Sequence, residues 1–484
     1  MNTIIHKLVD SVRWVVSVYL ALLVVCCVSC NKSVHIPPPA NSITTSQVFS
    51  DSSDLAAAIS GIYSQIEYAN TGGIGFCNGA QTIWCGVSAD ELVPSDVSAD
   101  AQKFYINELA STSGIVLSDF WIRPYNFIYQ ANASIEGLQA SKVADSVKNH
   151  YLGEAKFLRA LFYFYMVNTF GDVPNVTSTA FAKTSLYPRA PKSEIYQQIL
   201  SDLKDAQTFL PADYSYSGGQ RTRANRWAAT ALLARVYLYT GDWADAIAQS
   251  GALINEPMYG LSGDLNAVFS PNSTEAILQW RPNTDYLPFD ATAEGAQILP
   301  VQGLPPAFYV SPQLLSAFEP NDQRRIAWVD SVNSDGVDYF VPYKYKVGQD
   351  QHTPGGTPTE YYTVLRLAEQ YLIRAEAKAQ QQDVSGATDD LNIIRSRAGL
   401  PAYAGATDQA SVLSAIMHER QIELFAEWGH RWYDLKRTGE IDAVMSVVTP
   451  QKVGGSSWNT NQQLFPIPLN ELGTDPNLTQ NPGY

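Results

Sequence analysis

The chain has 484 residues, of which 45% are hydrophobic and 16% charged, a balance that suits a folded globular body with one large or two ordinary cores and excludes a disordered chain. Its formal net charge is -15; residues 1–29 hold Lys7, Arg13 and Asp10, a net of +1, so the remainder carries -15 - 1 = -16. Such a charge repels nucleic acid and anionic membrane surfaces, and no nucleic-acid partner is expected.

Residues 1–29 read as an export signal. His6, Lys7 and Arg13 precede an uncharged apolar run from Trp14 to Val28, shorter than the ~20 residues of a spanning helix. The run ends at Val28-Ser29-Cys30, where a small residue before a cysteine resembles a bacterial lipobox and makes Cys30 the expected lipidation site. Residues 30–43 then form a tether, stiffened by Pro37, Pro38 and Pro39. Of five cysteines only Cys77 and Cys85 lie in the body, as either a local disulfide or two buried thiols. No cysteine spacing fits a metal site.

The body is read as a single domain over 44–484. Asp51 to Asp54 are helix-start residues, and Leu55, Ile59, Ile62 and Ile66 follow at helical spacing. Between about 69 and 118 the periodicity vanishes in a Gly- and Ser-rich stretch, expected to be a long irregular excursion of the functional kind. Helices return with Ile128 to Leu138, Ala155 to Tyr165, Ile195 to Leu210 and Trp227 to Leu238, and Trp243 starts another. Two Gly-Asp stops, at Gly171 and Gly241, are 241 - 171 = 70 residues apart, close to twice the ~34-residue tetratricopeptide period. Stacked helix pairs are therefore expected.

A second irregular stretch covers about 260–360, dense in Pro, Gly and aromatic residues, with only short extended segments such as Ala276 to Trp280. Helices resume at 371–380 and with Leu391, Ile394 and Ala398. In 418–437, HERQIELFAEWGHRWYDLKR, Phe425, Trp428, Trp432 and Leu435 recur at helical spacing, so one helix with an apolar stripe is predicted. Glu419, Glu423 and Glu427 run beside it at i,i+4, each with a cation or aromatic neighbour one turn away.

The order E-R-x-x-E-L-x-x-E-x-x-R-W-x-D-L-x-R (419–437), then L-F-P-I-P (464–468) and a closing NLTQNPGY (477–484), resembles the C-terminal signature of the SusD/RagB family. EAKFLRALFYFYMVNTFGDVP (154–174), RANRWAATALLARVYLYTGDW (223–243) and YLIRAEAKAQ (371–380) resemble further segments of it in the expected order. The resemblance implies a mainly α fold: a tetratricopeptide-like helix-pair scaffold with an irregular subdomain that holds ligand. It implies a lipid-anchored outer-membrane protein that binds an oligosaccharide or similar nutrient and serves as lid and capture subunit of a SusC-like, TonB-dependent transporter. Peptide binding, or a lid that mainly seals the transporter, are the alternatives. The residues after Cys30, NKSVHIPPP, lack the acidic run that often directs such lipoproteins to the cell surface.

No phosphate loop, G-x-S-x-G elbow, H-E-x-x-H or C-x-x-C occurs in the body, so no catalysis, metal or cofactor is expected. Glu427 and His430 make the one E-x-x-H, whereas a helix-bundle di-iron site requires two. No calcium loop pattern is present. A sugar site needs exposed aromatic planes flanked by polar hydrogen-bonding groups. Family ligand residues come mostly from the two irregular regions, which implies Trp84 and Asp90 from the first and Tyr286 and Phe289 from the second. Trp121 and Trp328 sit in segments that read as packing.

Overall fold

The computed structural model of the protein describes residues 2–28, 52–67, 73–95 and 99–484. Cys30, the tether and the start of the body at Thr44 lie outside them. Two units are present, Met1–Val48 and Phe49–Tyr484, and in the first Asn2–Val28 is a helix. Among the described residues no helix is long and apolar enough to cross a membrane.

In the second unit the apolar stripes read from the sequence face inward. Ser52–Glu67 buries Leu55, Ile59, Ile62 and Ile66. Arg123–Ala140 packs on Asp145–Phe170, which packs on Lys192–Phe209. Each successive helix then lies on the one before: Arg226–Thr240, Trp243–Ile254, Leu367–Gln380, Val384–Arg397 and Gln409–Glu423. Small side chains set the spacing, since helix axes approach only as far as contact residues allow. Ala375, Ala379 and Ala387 share one fully buried cluster with Leu391, Val412 and Ile416. The helix-pair scaffold expected from the sequence is thus present, with Asp145–Phe170 and Arg226–Thr240 ending at Gly171 and Gly241.

Arginine forks lock these helices together. Arg159 holds Asp202 at 2.8 and 2.7 Å, Arg235 holds Glu369 at 2.6 Å through both nitrogens, and Arg374 holds Asp390 at 2.9 and 2.6 Å. Each joins two helices by a two-bond geometry that a planar guanidinium makes and an ammonium cannot. Burial alone would raise the Glu369 carboxyl, yet the Arg235 charge brings it down to about 2.

The 418–437 stretch departs from its expected form. It is two helices, Gln409–Glu423 and His430–Thr438, broken where Ala426, Trp428 and Gly429 take φ of 47°, 49° and 68°. The break admits helix Gln81–Ser88: a Cβ on Gly429 would lie 2.6 Å from Cys85 Cβ and 2.9 Å from the Gln81 carbonyl oxygen, so this position needs glycine. Phe425, Trp428, Trp432 and Leu435 are all buried, but against separate partners rather than as one stripe. Phe425 meets Phe318, Trp428 stacks on Tyr165 and Trp432 meets Trp458.

The three glutamates likewise find cations far away in sequence rather than one turn away. Arg324 donates to Glu419 at 2.6 Å and Glu423 at 3.0 Å; Lys344 donates to Glu427 at 2.5 Å. Arg366 makes five bonds, to Glu275, to Glu423 and its carbonyl, and twice to Glu427, at 2.6 to 2.8 Å. Its full donor set is satisfied. The signature therefore encodes a sealed ionic core, closed by residues from the 260–360 stretch and by Arg366 at the end of strand Tyr362–Arg366.

The first irregular stretch is more regular than its pattern suggests. Its described residues include the π-helical turn Phe76–Ala80, helix Gln81–Ser88, strand Leu92–Pro94 and helix Ala99–Tyr105. Gln81–Ser88 is buried on every face, so it lacks the polar side that would have given a helical period. Cys77 and Cys85 are buried free thiols rather than a disulfide, and burial pushes Cys85 up to about 12. The second stretch holds short pieces: Ala276–Trp280 pairs antiparallel with Tyr362–Arg366, Phe308–Val310 with Leu92–Pro94, and Val329–Ser334 with Val337–Pro342. Trp121 and Trp328 are buried, the latter donating to the Leu265 carbonyl at 2.9 Å.

Candidate functional site

Strand Ala276–Trp280 is buried along its whole length and fixes the start of the loop that follows. Trp280 meets Tyr63 edge to face at 5.6 Å. The chain then leaves the core at 281–292 and returns at helix Ala293–Ile298, whose N-cap Thr292 accepts from the Gly295 amide at 3.0 Å. Between these fixed ends Asn283 Oδ1 accepts from the Asp285 amide at 3.1 Å, a local turn typical of asparagine, and the Phe289 amide donates to the Tyr286 carbonyl at 2.6 Å.

A second loop braces the first. Asp290 Oδ1 accepts from the Thr353 amide at 2.5 Å, and the Gly355 amide donates to the Thr284 carbonyl at 3.0 Å. Gly356 sits so close that a Cβ there would lie 2.2 Å from Asp290 Oδ2. The Phe289 ring packs edge to face against His352 at 5.2 Å. This bracing leaves Tyr286 54% exposed and Leu287 49% exposed, with Phe289 half-buried between them and the second loop. The cavity under the loop, lined by Asn78, Trp280, Asn283, Leu287 and Tyr362 among others, has about 20 Å³, room for roughly one water. The loop therefore presents an aromatic face, not a deep pocket.

The structure brings Tyr286 and Phe289 together but places the other two expected ligand residues in the core. Trp84, 8% exposed, has its ring centroid 4.7 Å from Phe104 and 5.7 Å from Phe308. Asp90 is 5% exposed, and its carboxylate accepts from Arg431 through both oxygens, at 2.8 and 2.7 Å. Neither presents a face or a vacant oxygen to solvent, so the expectation for these two is corrected to packing and ion pairing. The same region holds two unusual acids: burial, then the charge of Asp90, pushes Glu91 up to about 8, and burial pushes Glu294 up to about 8 beside Thr82 and Tyr362.

Sequence reasoning missed Asn283, Asp290, His352 and Gly356. Asn283-x-Asp285 and the Gly355-Gly356 pair are turn signals, but nothing local says that the two loops meet. The E-x-x-H pair is structural: Glu427 is held by Lys344 and Arg366, and burial pushes His430 down to about 4. Among the described residues no group of three or more His, Cys, Asp or Glu side chains is placed to hold a metal ion.

A stack of helix pairs that seals its charges inside and presents a braced aromatic loop outside has the organisation of a binding protein. Residues 329–484 match the SusD family, and residues 88–238 match the family described as starch-binding associating with outer membrane. Both matched segments are of SusD type, and the chain is similar to SusD-like proteins along most of its length. The SusD-like protein P25 of Formosa agariphila is 26% identical over 533 residues, covering 96% of this chain and 98% of its own. A SusD superfamily protein from Bacteroides vulgatus superposes with a TM-score of 0.77 at 22% identity, over 90% of this chain and 99% of its own. A laminarin-binding SusD-like protein superposes with a TM-score of 0.73 at 25% identity, over 90% of this chain and 100% of its own.

Proposed function

We propose that the protein is a non-catalytic surface lipoprotein that captures an oligosaccharide or polysaccharide and passes it to a SusC-like TonB-dependent transporter of the outer membrane. The lipid on Cys30 holds the body at the membrane, the Pro-rich tether spaces it, and the loop face receives the glycan. The observation that carries this reading is Tyr286, half exposed on a loop fixed at both ends and braced by His352, Thr353, Gly355 and Gly356. Sugars have flat apolar faces ringed by hydroxyls, which an exposed tyrosine plane can cover while its hydroxyl serves as hydrogen-bonding handle. A loop already ordered before binding loses little entropy on contact. The likeness to a laminarin-binding relative supports the ligand class.

The reading is tested by titrating the full chain and its Tyr286→Ala variant with laminarin and with other plant, fungal and host glycans. Binding of one glycan by the parent, weakened about tenfold in the variant, supports it. Equal affinity of the two proteins would remove Tyr286 from the site.

A further inference from the structure

On the side of the scaffold where the C-terminal residues close against helix Asp145–Phe170, an open cavity of 370 Å³ is lined by three cations and one acid: Arg189, Lys192, Lys436 and Asp172. With all three cations protonated the local charge is 3 - 1 = +2, in a chain whose formal net charge is -15. The acid is already engaged, because Asp172 Oδ1 accepts from the backbone amide of Lys192 at 2.8 Å. Arg189 is fixed in the wall by the Asp172 carbonyl at 2.7 Å, the Thr479 carbonyl at 3.0 Å and Asn481 Oδ1 at 2.5 Å.

The two lysines are under-partnered. Lys436, half-buried, donates to the Asn168 carbonyl, and among the described residues no carboxylate lies within ion-pair distance of its ammonium. An ammonium has three donors, so this one has hydrogens to spare. Lys192, exposed at the mouth, has its ammonium 5.6 Å from the Tyr196 ring centroid and likewise no ion-pair partner among the described residues. Buried Arg235, Arg324 and Arg366 each hold a carboxylate, while buried Lys452 spends its donors on the Val87 and Ser88 carbonyls, two acceptors where Lys436 has one.

We propose that this cavity binds a tetrahedral dianion, sulfate or phosphate, between Lys192 and Lys436 with Arg189 in its wall. A dianion matches the local charge of +2, whereas a single carboxylate would leave half of it unbalanced. Burial, then repulsion from Lys192, pushes the Lys436 ammonium down to about 7, a cost that a bound anion would offset. The anion could be free or carried as an ester on a saccharide; the chemistry is shared. The inference does not depend on the glycan reading of the loop face.

The test is titration calorimetry of the detergent-solubilised full chain with sodium sulfate, sodium phosphate and glucose 6-sulfate, at constant ionic strength in chloride. One saturating site for sulfate or phosphate is expected, weakened at least about tenfold in Lys192→Gln and more in Lys436→Met. Lys192 is exposed, so its variant keeps the test valid even where Lys436→Met fails to fold. Saturation by glucose 6-sulfate as well assigns the ester as a ligand; saturation by the inorganic ions alone assigns the free ion. Heats no larger than dilution in the parent, or the same affinity in Lys192→Gln, overturn the proposal.

Discussion

Arg431 and Asp90 stand 341 residues apart in sequence and form a two-bond fork, Nε to Oδ1 at 2.8 Å and Nη2 to Oδ2 at 2.7 Å. Arg431 belongs to the C-terminal signature and Asp90 to the first irregular stretch, so the fork pins that stretch to the end of the scaffold. Asp90→Ala leaves a largely buried guanidinium unpaired and is expected to destabilise the fold by about 3 kcal/mol. Urea denaturation measures this; glycan affinity of the folded fraction should not change. A stable variant that has lost binding would return Asp90 to the ligand site.

Arg366 tests the ionic core. A lysine there cannot reproduce five directed bonds to three glutamates, so Arg366→Lys is expected to cost at least about 3 kcal/mol. A melting temperature within a degree of the parent would show that charge, not the planar fork, is what the core uses.

Trp84 and Tyr286 separate packing from binding. Trp84→Ala opens a cavity against Phe104 and Phe308 and should cost about 3 to 5 kcal/mol in stability. Tyr286→Ala, at an exposed position, should stay within about 0.5 kcal/mol of the parent while losing glycan affinity. Chemical denaturation beside a binding titration on each variant checks both halves.

Buried acids of opposite shift give stability a two-sided pH dependence. Glu369, brought down to about 2 by Arg235 against its burial, contributes stability that is present above the unfolded glutamate value and lost as pH falls from about 4.5 toward 2. Glu91, pushed up to about 8 by burial, contributes with the opposite sign: full below about 4.5 and lost as pH rises through 8. Lys436 and Lys452, both pushed down to about 7 by burial, act against Glu91, because their unfavourable charged forms disappear as pH rises above 7. Thermal melts of parent and Glu91→Gln isolate one contribution: the difference between them should grow in favour of the variant from pH 5 to pH 8. A constant difference would mean that Glu91 is already ionised at pH 5.

What the sequence shows plainly is what lies on one amphipathic element. Leu55 to Ile66, the Gly171 and Gly241 stops and the strand Ala276–Trp280 all depend on spacing or on a local turn residue, and each was readable. Gln81–Ser88 was not, because a helix buried on all sides has no period. The break at Ala426 to Gly429 was hidden since only Gly429 hinted at positive φ, while Ala426 and Trp428 take it under tertiary constraint. At the face, Tyr286 and Phe289 could be chosen from an aromatic-rich loop, but Trp84 in a Gly-rich stretch looks the same in sequence whether buried or exposed. The bracing of Asp290 by Thr353 is a contact across 63 residues that no local pattern carries.

The central claim, that this protein captures glycans on the Tyr286 face, is tested most directly by affinity electrophoresis of the detergent-solubilised full chain through native gels containing a panel of plant, fungal and host polysaccharides. Retardation by at least one polymer, largely relieved in Tyr286→Ala, is the predicted result. Unretarded migration through every polymer, or retardation that the variant leaves intact, would contradict it.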